Sequence, residues 1–170
     1  METNFKTKEM KKITLITIVA ILGTFSSYAQ LQKVDQEVFG MDCAPCAYGL
    51  ERGLKKMDGL QDVRVSLNDG KAYLELSENN GLSLTKIQEE VKTNGFSAQK
   101  AEVVIEGKLN TENGTPQLKT DTETYNIMND ASDDLSSKLK PGTVKVKGIV
   151  QDEEDGSLSG TWKIRVIEIL

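Results

Sequence analysis

Histidine is absent from all 170 residues. That excludes imidazole metal sites, imidazole general bases and the Ser-His or Cys-His nucleophile pairs. Proline is held to 3 residues, so no low-complexity linker dominates the chain. No phosphate-binding loop, dinucleotide fingerprint or EF-hand spacing occurs, and no internal repeat is evident. With these gone the sequence reads as that of a non-enzyme. The remainder, 38% hydrophobic and 28% charged, is the balance of a soluble globular protein long enough for one ordinary domain or two small ones.

Long apolar runs are confined to the start. Lys6, Lys8, Lys11 and Lys12 form a basic opening, Ile13 to Gly23 is largely apolar, and Ser27-Tyr28-Ala29 puts small residues at the −3 and −1 places of a cut before Gln30. That order predicts a secretory signal peptide over 1–29. The apolar run is short for a hydrocarbon core of about 30 Å, and retention as an uncleaved anchor is the alternative. No Cys follows the run, so lipoprotein anchoring is not expected, and no stable membrane span is expected after cleavage. The rest is thus expected to be exported, periplasmic or secreted. It is more acidic than the whole chain, whose net charge is −5, because the leader is net basic. Acidity of this kind argues against phosphate-driven nucleic-acid binding.

Residues 30–101 alternate between strand and helix periods. Leu31 to Phe39 predicts a strand ending at Gly40. Pro45 suits the first turn of a helix, in which Ala47, Leu50, Leu54 and Met57 recur at intervals of three and four. Val63, Val65 and Leu67, then Ala72, Leu74 and Leu76, alternate with polar residues on either side of the turn Asn68-Asp69-Gly70. Ser83 is an N-cap for a second helix carrying Leu84, Ile87 and Val91, closed by Asn94-Gly95. Phe96 to Ala101 begins the last strand. The order is βαββαβ, a ferredoxin-like sandwich in an α+β chain.

Residues 102–170 are β-rich. Val103 to Ile105, Leu118 to Ile127, Val144 to Val150 and Trp162 to Val166 predict strands, with a bulge or bend at Gly148. Asp130 caps a predicted helix carrying Ala131, Leu135 and Leu139, stopped by Pro141-Gly142. Five short strands with a helix before the fourth resemble a small OB-like β-barrel. Tyr125 and Trp162 are the aromatics of this half, and Trp162 on an alternating strand reads as core rather than stacking platform. A docking or spacing role is the expectation. Asp133-Asp134 and Asp152 to Asp155 read as solvated turns rather than calcium ligands.

The 2 cysteines sit together as Cys43-Ala44-Pro45-Cys46 at a strand-to-helix junction. Thiolates are soft ligands, favoured at a helix N-terminus, and they select copper(I), mercury and zinc-group ions over magnesium or calcium. Two thiolates face one ion that is content with two ligands; zinc wants about four. A thiol–disulfide redox protein is the rival reading, since an exported CxxC can cycle through a disulfide. Asp42, where thioredoxin-like motifs usually carry an aromatic residue, argues against it. An oxidising compartment can also close the pair and leave the site empty until it is reduced.

Gly40-Met41-Asp42-Cys43-Ala44-Pro45-Cys46, with Leu50 to Leu60, Val63 to Leu67 and Asn94-Gly95-Phe96, resembles the heavy-metal-associated domain of copper chaperones, periplasmic mercury-binding proteins and metal-exporting ATPases. The resemblance runs from about Val34 to Ala101. It implies that Cys43 and Cys46 are the metal ligands, that Met41 is a buried support for the loop and that Phe96 lies near the site. It also implies a partner: a metal donor or acceptor with its own CxxC, such as a metal-transporting ATPase, exchanging the ion thiolate by thiolate. Copper(I) is the first choice of metal, with zinc, cadmium or mercury as alternatives. Asp42 departs from the copper-type pattern and resembles modules of zinc- and cadmium-exporting ATPases, making it a candidate third ligand. The other reading of Asp42 is a cap on the loop or the following helix.

Overall fold

The computed structural model describes residues 29–112, 114–128, 138–151 and 161–170. Residues 1–28 of the expected leader, all but the end of the helix expected from Asp130 and the acidic run from Asp152 lie outside them. Among the described residues no helix is long and apolar enough to cross a membrane.

The first half is the expected βαββαβ sandwich. Its elements are β1 (Gln30–Phe39), α1 (Ala44–Leu54), β2 (Leu60–Ser66), β3 (Lys71–Leu76), α2 (Leu84–Thr93) and β4 (Ser97–Glu112). The strands lie in the order β2-β3-β1-β4, all antiparallel. Ala47, Leu50 and Leu54 of α1 and Leu84, Ile87 and Val91 of α2 are buried, as their spacing requires. Ser83 caps α2, its side chain accepting from the N–H of Lys86 at 3.1 Å. Gln36 is the one fully buried polar residue of β1. Its register with β4 shifts at Gln36/Val38, and its Nε2 donates to the carbonyls of Gln99 at 2.7 Å and Glu37 at 2.9 Å. Its Oε1 accepts from Gln88 of α2 at 3.1 Å, so the amide fills hydrogen-bonding needs that a bulge leaves open.

The second half adds β5 (Thr115–Lys119), β6 (Thr124–Ile127), β7 (Gly142–Val150) and β8 (Thr161–Ile169). The stretch from Leu118 to Ile127 resolves into two strands. Pairings run β4–β5–β6–β8–β7 and return to β4, with β6–β8 parallel and the others antiparallel. The bend expected at Gly148 is present: the β7–β8 register shifts at Lys147/Gly148. A Cβ on Gly148 would lie 2.7 Å from the side chain of Ile164, so the close approach requires glycine.

The two halves share β4. The expected boundary between residues 101 and 102 falls inside this 16-residue strand. Ala101, Val103, Ile105 and Leu109 are buried in unbroken alternation, so nothing interrupts the period of two where one half gives way to the other. One edge of β4 pairs first with β1 and then with β5, while the other pairs with β7. A single apolar cluster runs from Leu50 and Leu54 of α1 to Tyr125, Trp162 and Ile164.

A buried carboxylate joins the halves a second time. Glu123, just before β6, is 6% exposed and reaches the N-terminus of α2. It accepts from the backbone N–H of Leu84 at 2.8 Å and of Thr85 at 2.9 Å, and from the Thr85 hydroxyl. From its own half it accepts the Tyr125 hydroxyl at 2.8 Å and Trp162 Nε1 at 3.0 Å. These donors and the positive end of the helix dipole are what stabilise the charge. Burial, then the charge of Glu123 and the bond to it, push the Tyr125 phenol well above its ordinary pKa. Nearby, Asp121 N–H donates to the Ala29 carbonyl at 2.8 Å and Asn80 Nδ2 to that of Leu31 at 2.9 Å.

At the far edge of the sheet, β2 has one neighbour. The outward N–H of Val65 donates to Glu51 of α1 at 3.1 Å, and Lys55 pairs with the same carboxylate. The hydrogen bond from Lys55, then that from Val65, hold the Glu51 carboxyl below its ordinary pKa.

Glu123→Ala strips the donors of Tyr125, Trp162 and Leu84 of their acceptor; a loss of ~3 kcal/mol or more is expected, read by urea unfolding followed at Trp162. Glu51 titrates lower when folded than unfolded, so its contribution is complete above about pH 4.3 and is lost as pH falls through the lowered value. The stability gap between the native chain and Glu51→Gln, followed by denaturant melts across pH, is expected to narrow in that direction.

Candidate metal centre

Three segments meet at the end of the sheet where β1 stops. The Val38 N–H donates to the Gly70 carbonyl in the β2–β3 turn at 2.8 Å, and Phe39 lies opposite Ser97 at the start of β4. Gly40, at φ +88°, turns the chain out of the sheet. Met41 then drops back into the core at 6% exposure, which anchors the loop from below as the resemblance implied. Asp42, Ala44 and Pro45 are exposed, while Cys43 and Cys46 are half-buried.

Cys43 is extended, at φ −144° and ψ 150°, and is itself the N-cap of α1. Its Sγ accepts from the N–H of Cys46 at 3.2 Å and its carbonyl from that of Ala47 at 3.1 Å. Cys43, not Asp42, therefore supplies the cap for which Asp42 was an alternative. Pro45 sits in the first turn as expected. The two sulfurs are joined in a disulfide with Cα atoms 5.1 Å apart. In that form neither sulfur offers a thiolate; reduction by two electrons would expose two, at the positive end of an 11-residue helix. No group of three His, Cys, Asp or Glu placed to hold one metal ion occurs among the described residues.

Phe96 follows Gly95, whose φ is +89°, and packs partly buried against the core. Gly53 of α1 meets the side chain of Asn94 so closely that a Cβ there would lie 2.4 Å from its Oδ1. The helix with the cysteines is thus seated against the end of α2.

Two aromatic side chains escaped the reading of the sequence. Phe39 is 71% exposed and Tyr48 is 64% exposed, on either side of the cysteine loop in sequence. Arg52 lies over the Tyr48 ring at 5.8 Å. Phe39 falls on the outward phase of β1 and Tyr48 off the apolar stripe of α1, so periodicity marks both as misplaced for burial. Asp69, in the adjoining turn, is held below the usual carboxylate range by hydrogen bonds with Ser66 and Tyr73.

The profile of the family described as the heavy-metal-associated domain matches residues 37–97, which enclose this loop and both helices. Residues 37–97 are thus similar to that domain family. Over 81 residues the chain is 32% identical to the copper-exporting P-type ATPase of Bacillus subtilis strain 168, covering 46% of this chain and 10% of that one. It therefore spans about a tenth of that relative's length. Among solved structures, a copper-binding domain from HMA7, a P-type ATPase, is 29% identical, with 42% of this chain and 92% of that one covered and a TM-score of 0.37. The N-terminal domain of a potential copper-translocating P-type ATPase from Bacillus subtilis, in its Cu(I)-loaded state, is 25% identical, covering 41% of this chain and 85% of that one with a TM-score of 0.37.

The burial of Met41 fixes the loop's height above the core. Met41→Ala should cost about 2–3 kcal/mol, measured by denaturant unfolding of the oxidised chain.

Proposed function

We propose that this chain is an exported, non-enzymatic carrier of one copper(I) ion, held between the thiolates of reduced Cys43 and Cys46. The observation that carries this reading is the Cys43–Cys46 pair at the N-terminus of α1, on an exposed loop, inside a heavy-metal-associated domain. Two soft ligands suit copper(I), which accepts two-coordination, better than zinc, which seeks four. The relative that is a copper-exporting ATPase supports the same choice of metal. The basic, apolar and small-residue order of the leader supports export.

An exposed dithiol passes its ion to another CxxC pair by ligand exchange. Each acceptor thiolate replaces one donor thiolate in turn, so the ion is never free. The exposed Phe39 and Tyr48, which flank the cysteine loop in sequence, give such a partner apolar surface. The second half is read as an OB-like barrel, supported by the closed circuit of pairings and the parallel β6–β8 pair. Tyr125 and Trp162 are both buried there, which favours a spacing or protein-docking role over base stacking.

Anaerobic competition titration of the reduced chain against calibrated chelators is expected to give one tightly bound copper(I). Cys43→Ser and Cys46→Ser should each weaken it by 100-fold or more, and full affinity in either would sink the two-thiolate site. Preferential zinc(II) binding, lost in Asp42→Ala, would move the reading to the divalent ions. Phe39→Ala should slow transfer to a partner CxxC domain while leaving copper(I) affinity unchanged, followed by rapid mixing.

A further inference from the structure

Residues from both halves line one cavity of about 510 Å³. Lys33, Glu75 and Val104 form its floor, each the outward neighbour of a buried residue, Val34, Leu74 and Val103. Gln30 places it at the start of β1, the other end of that strand from the cysteine loop. Strands β3, β1, β4 and β7 lie side by side beneath it. Leu170, whose N–H donates to the Lys145 carbonyl at 2.9 Å, adds an apolar side chain from the second half.

The polar groups of this cavity fall into two sets. Gln32 and Lys33 are engaged within the chain: Gln32 Nε2 donates to Glu106 at 3.0 Å, and Lys33 Nζ lies 3.6 Å from Asp35. Glu75, Glu78 and Lys145, by contrast, form no ion pair among the described residues. Gln30 Oε1 is shielded from solvent and accepts no hydrogen bond. A shielded amide oxygen costs about 1–3 kcal/mol until a donor reaches it, so a ligand with N–H groups suits this one.

The unpaired charges are also sorted by sign. Glu75 and Glu78 stand on the β3 side, Lys145 on β7. Lys33 is opposite both Glu75 and Val104, and Val104 is opposite Lys147, two residues from Lys145. Three strand spacings therefore separate the negative pole from the positive one, about 15 Å.

We propose that this cavity binds a short peptide, its ammonium at Glu75 and Glu78 and its carboxylate at Lys145. Four or five extended residues span about that distance. Such a peptide crosses the strands instead of adding one, so side chains read its backbone. The amides of Gln30 and Gln61 offer the donors and acceptors that a peptide group pairs with, and Gln30 Oε1 takes a main-chain N–H. Aliphatic side chains of the ligand rest on Val104 and Leu170. Among the described residues no aromatic ring lines the cavity, so neither a sugar nor a nucleobase finds a stacking surface. The site uses neither cysteine and stands apart from the carrier reading.

The test titrates the oxidised full chain with the free peptide Ala-Leu-Leu-Ala, followed by amide-resolved NMR. The proposed contacts are to ends and backbone, so the peptide's side chains need only be aliphatic. Saturable binding at or below about 1 mM is expected, with shifts at Gln30, Val104 and Leu170 and none at Cys43 or Cys46. Acetylating the amino end or amidating the carboxyl end should each weaken binding about tenfold. The double variant Glu75→Gln, Glu78→Gln should abolish the penalty of acetylation alone, and Lys145→Met that of amidation alone. Unchanged Trp162 fluorescence checks that the variants fold. Absence of saturable binding in that range, equal affinity for free and blocked peptides, or tighter binding of a tetrasaccharide overturns the proposal.

Discussion

The carboxylate of Glu123 is the constraint on which the rest of the arrangement depends. It is buried, has no cationic partner among the described residues, and is held by donors from both halves: the first turn of α2 on one side, Tyr125 and Trp162 on the other. A buried charge tolerates such a place only when its oxygens are fully engaged. Both halves must therefore be in position before the site is acceptable. The shared strand β4 imposes the same condition through the backbone, since its two edges pair with strands from both halves. The two halves are, in consequence, one packed body with one core.

This body keeps the sulfur pair apart from the joint. Glu123, Asp121 and Asn80 gather at the start of β1, whereas the cysteine loop follows its end. The 10 residues of β1 separate the two by roughly 30 Å. The loop follows the end of β1, and β7 ends at Val150 opposite Ala101, itself opposite Gln36 near that end.

Much of the first half is legible in the sequence because each element states its period locally. The stripe Ala47, Leu50, Leu54 and the cap at Ser83 require no knowledge of distant residues. The cysteine pair is equally plain, since a CxxC before a helix is a local motif. What escapes is long-range. Glu123 reads as one more acid in a polar turn, and its partners lie 38 and 39 residues away. Strand β4 reads as two strands because a bulge near Gln99 and Lys100 shifts the phase of burial between Ala98 and Ala101, after which the alternation runs on unbroken. The choice between Asp42 and Cys43 as helix cap is decided by backbone geometry, to which residue identity is a weak guide. The oxidation state of the sulfurs is not encoded by residue type at all.

The small contact between Glu51 and the N–H of Val65 has a consequence for how this protein behaves in company. An unpaired sheet edge is a template onto which any extended chain can add, its own copies included. Here part of that template is already answered by a side chain from the helix above, so a second molecule would have to displace a carboxylate to gain one ladder bond. The occupied margin therefore offers less to an added strand than a bare one would. Crowded copies can collide at that margin and separate again, rather than propagate into a growing ribbon.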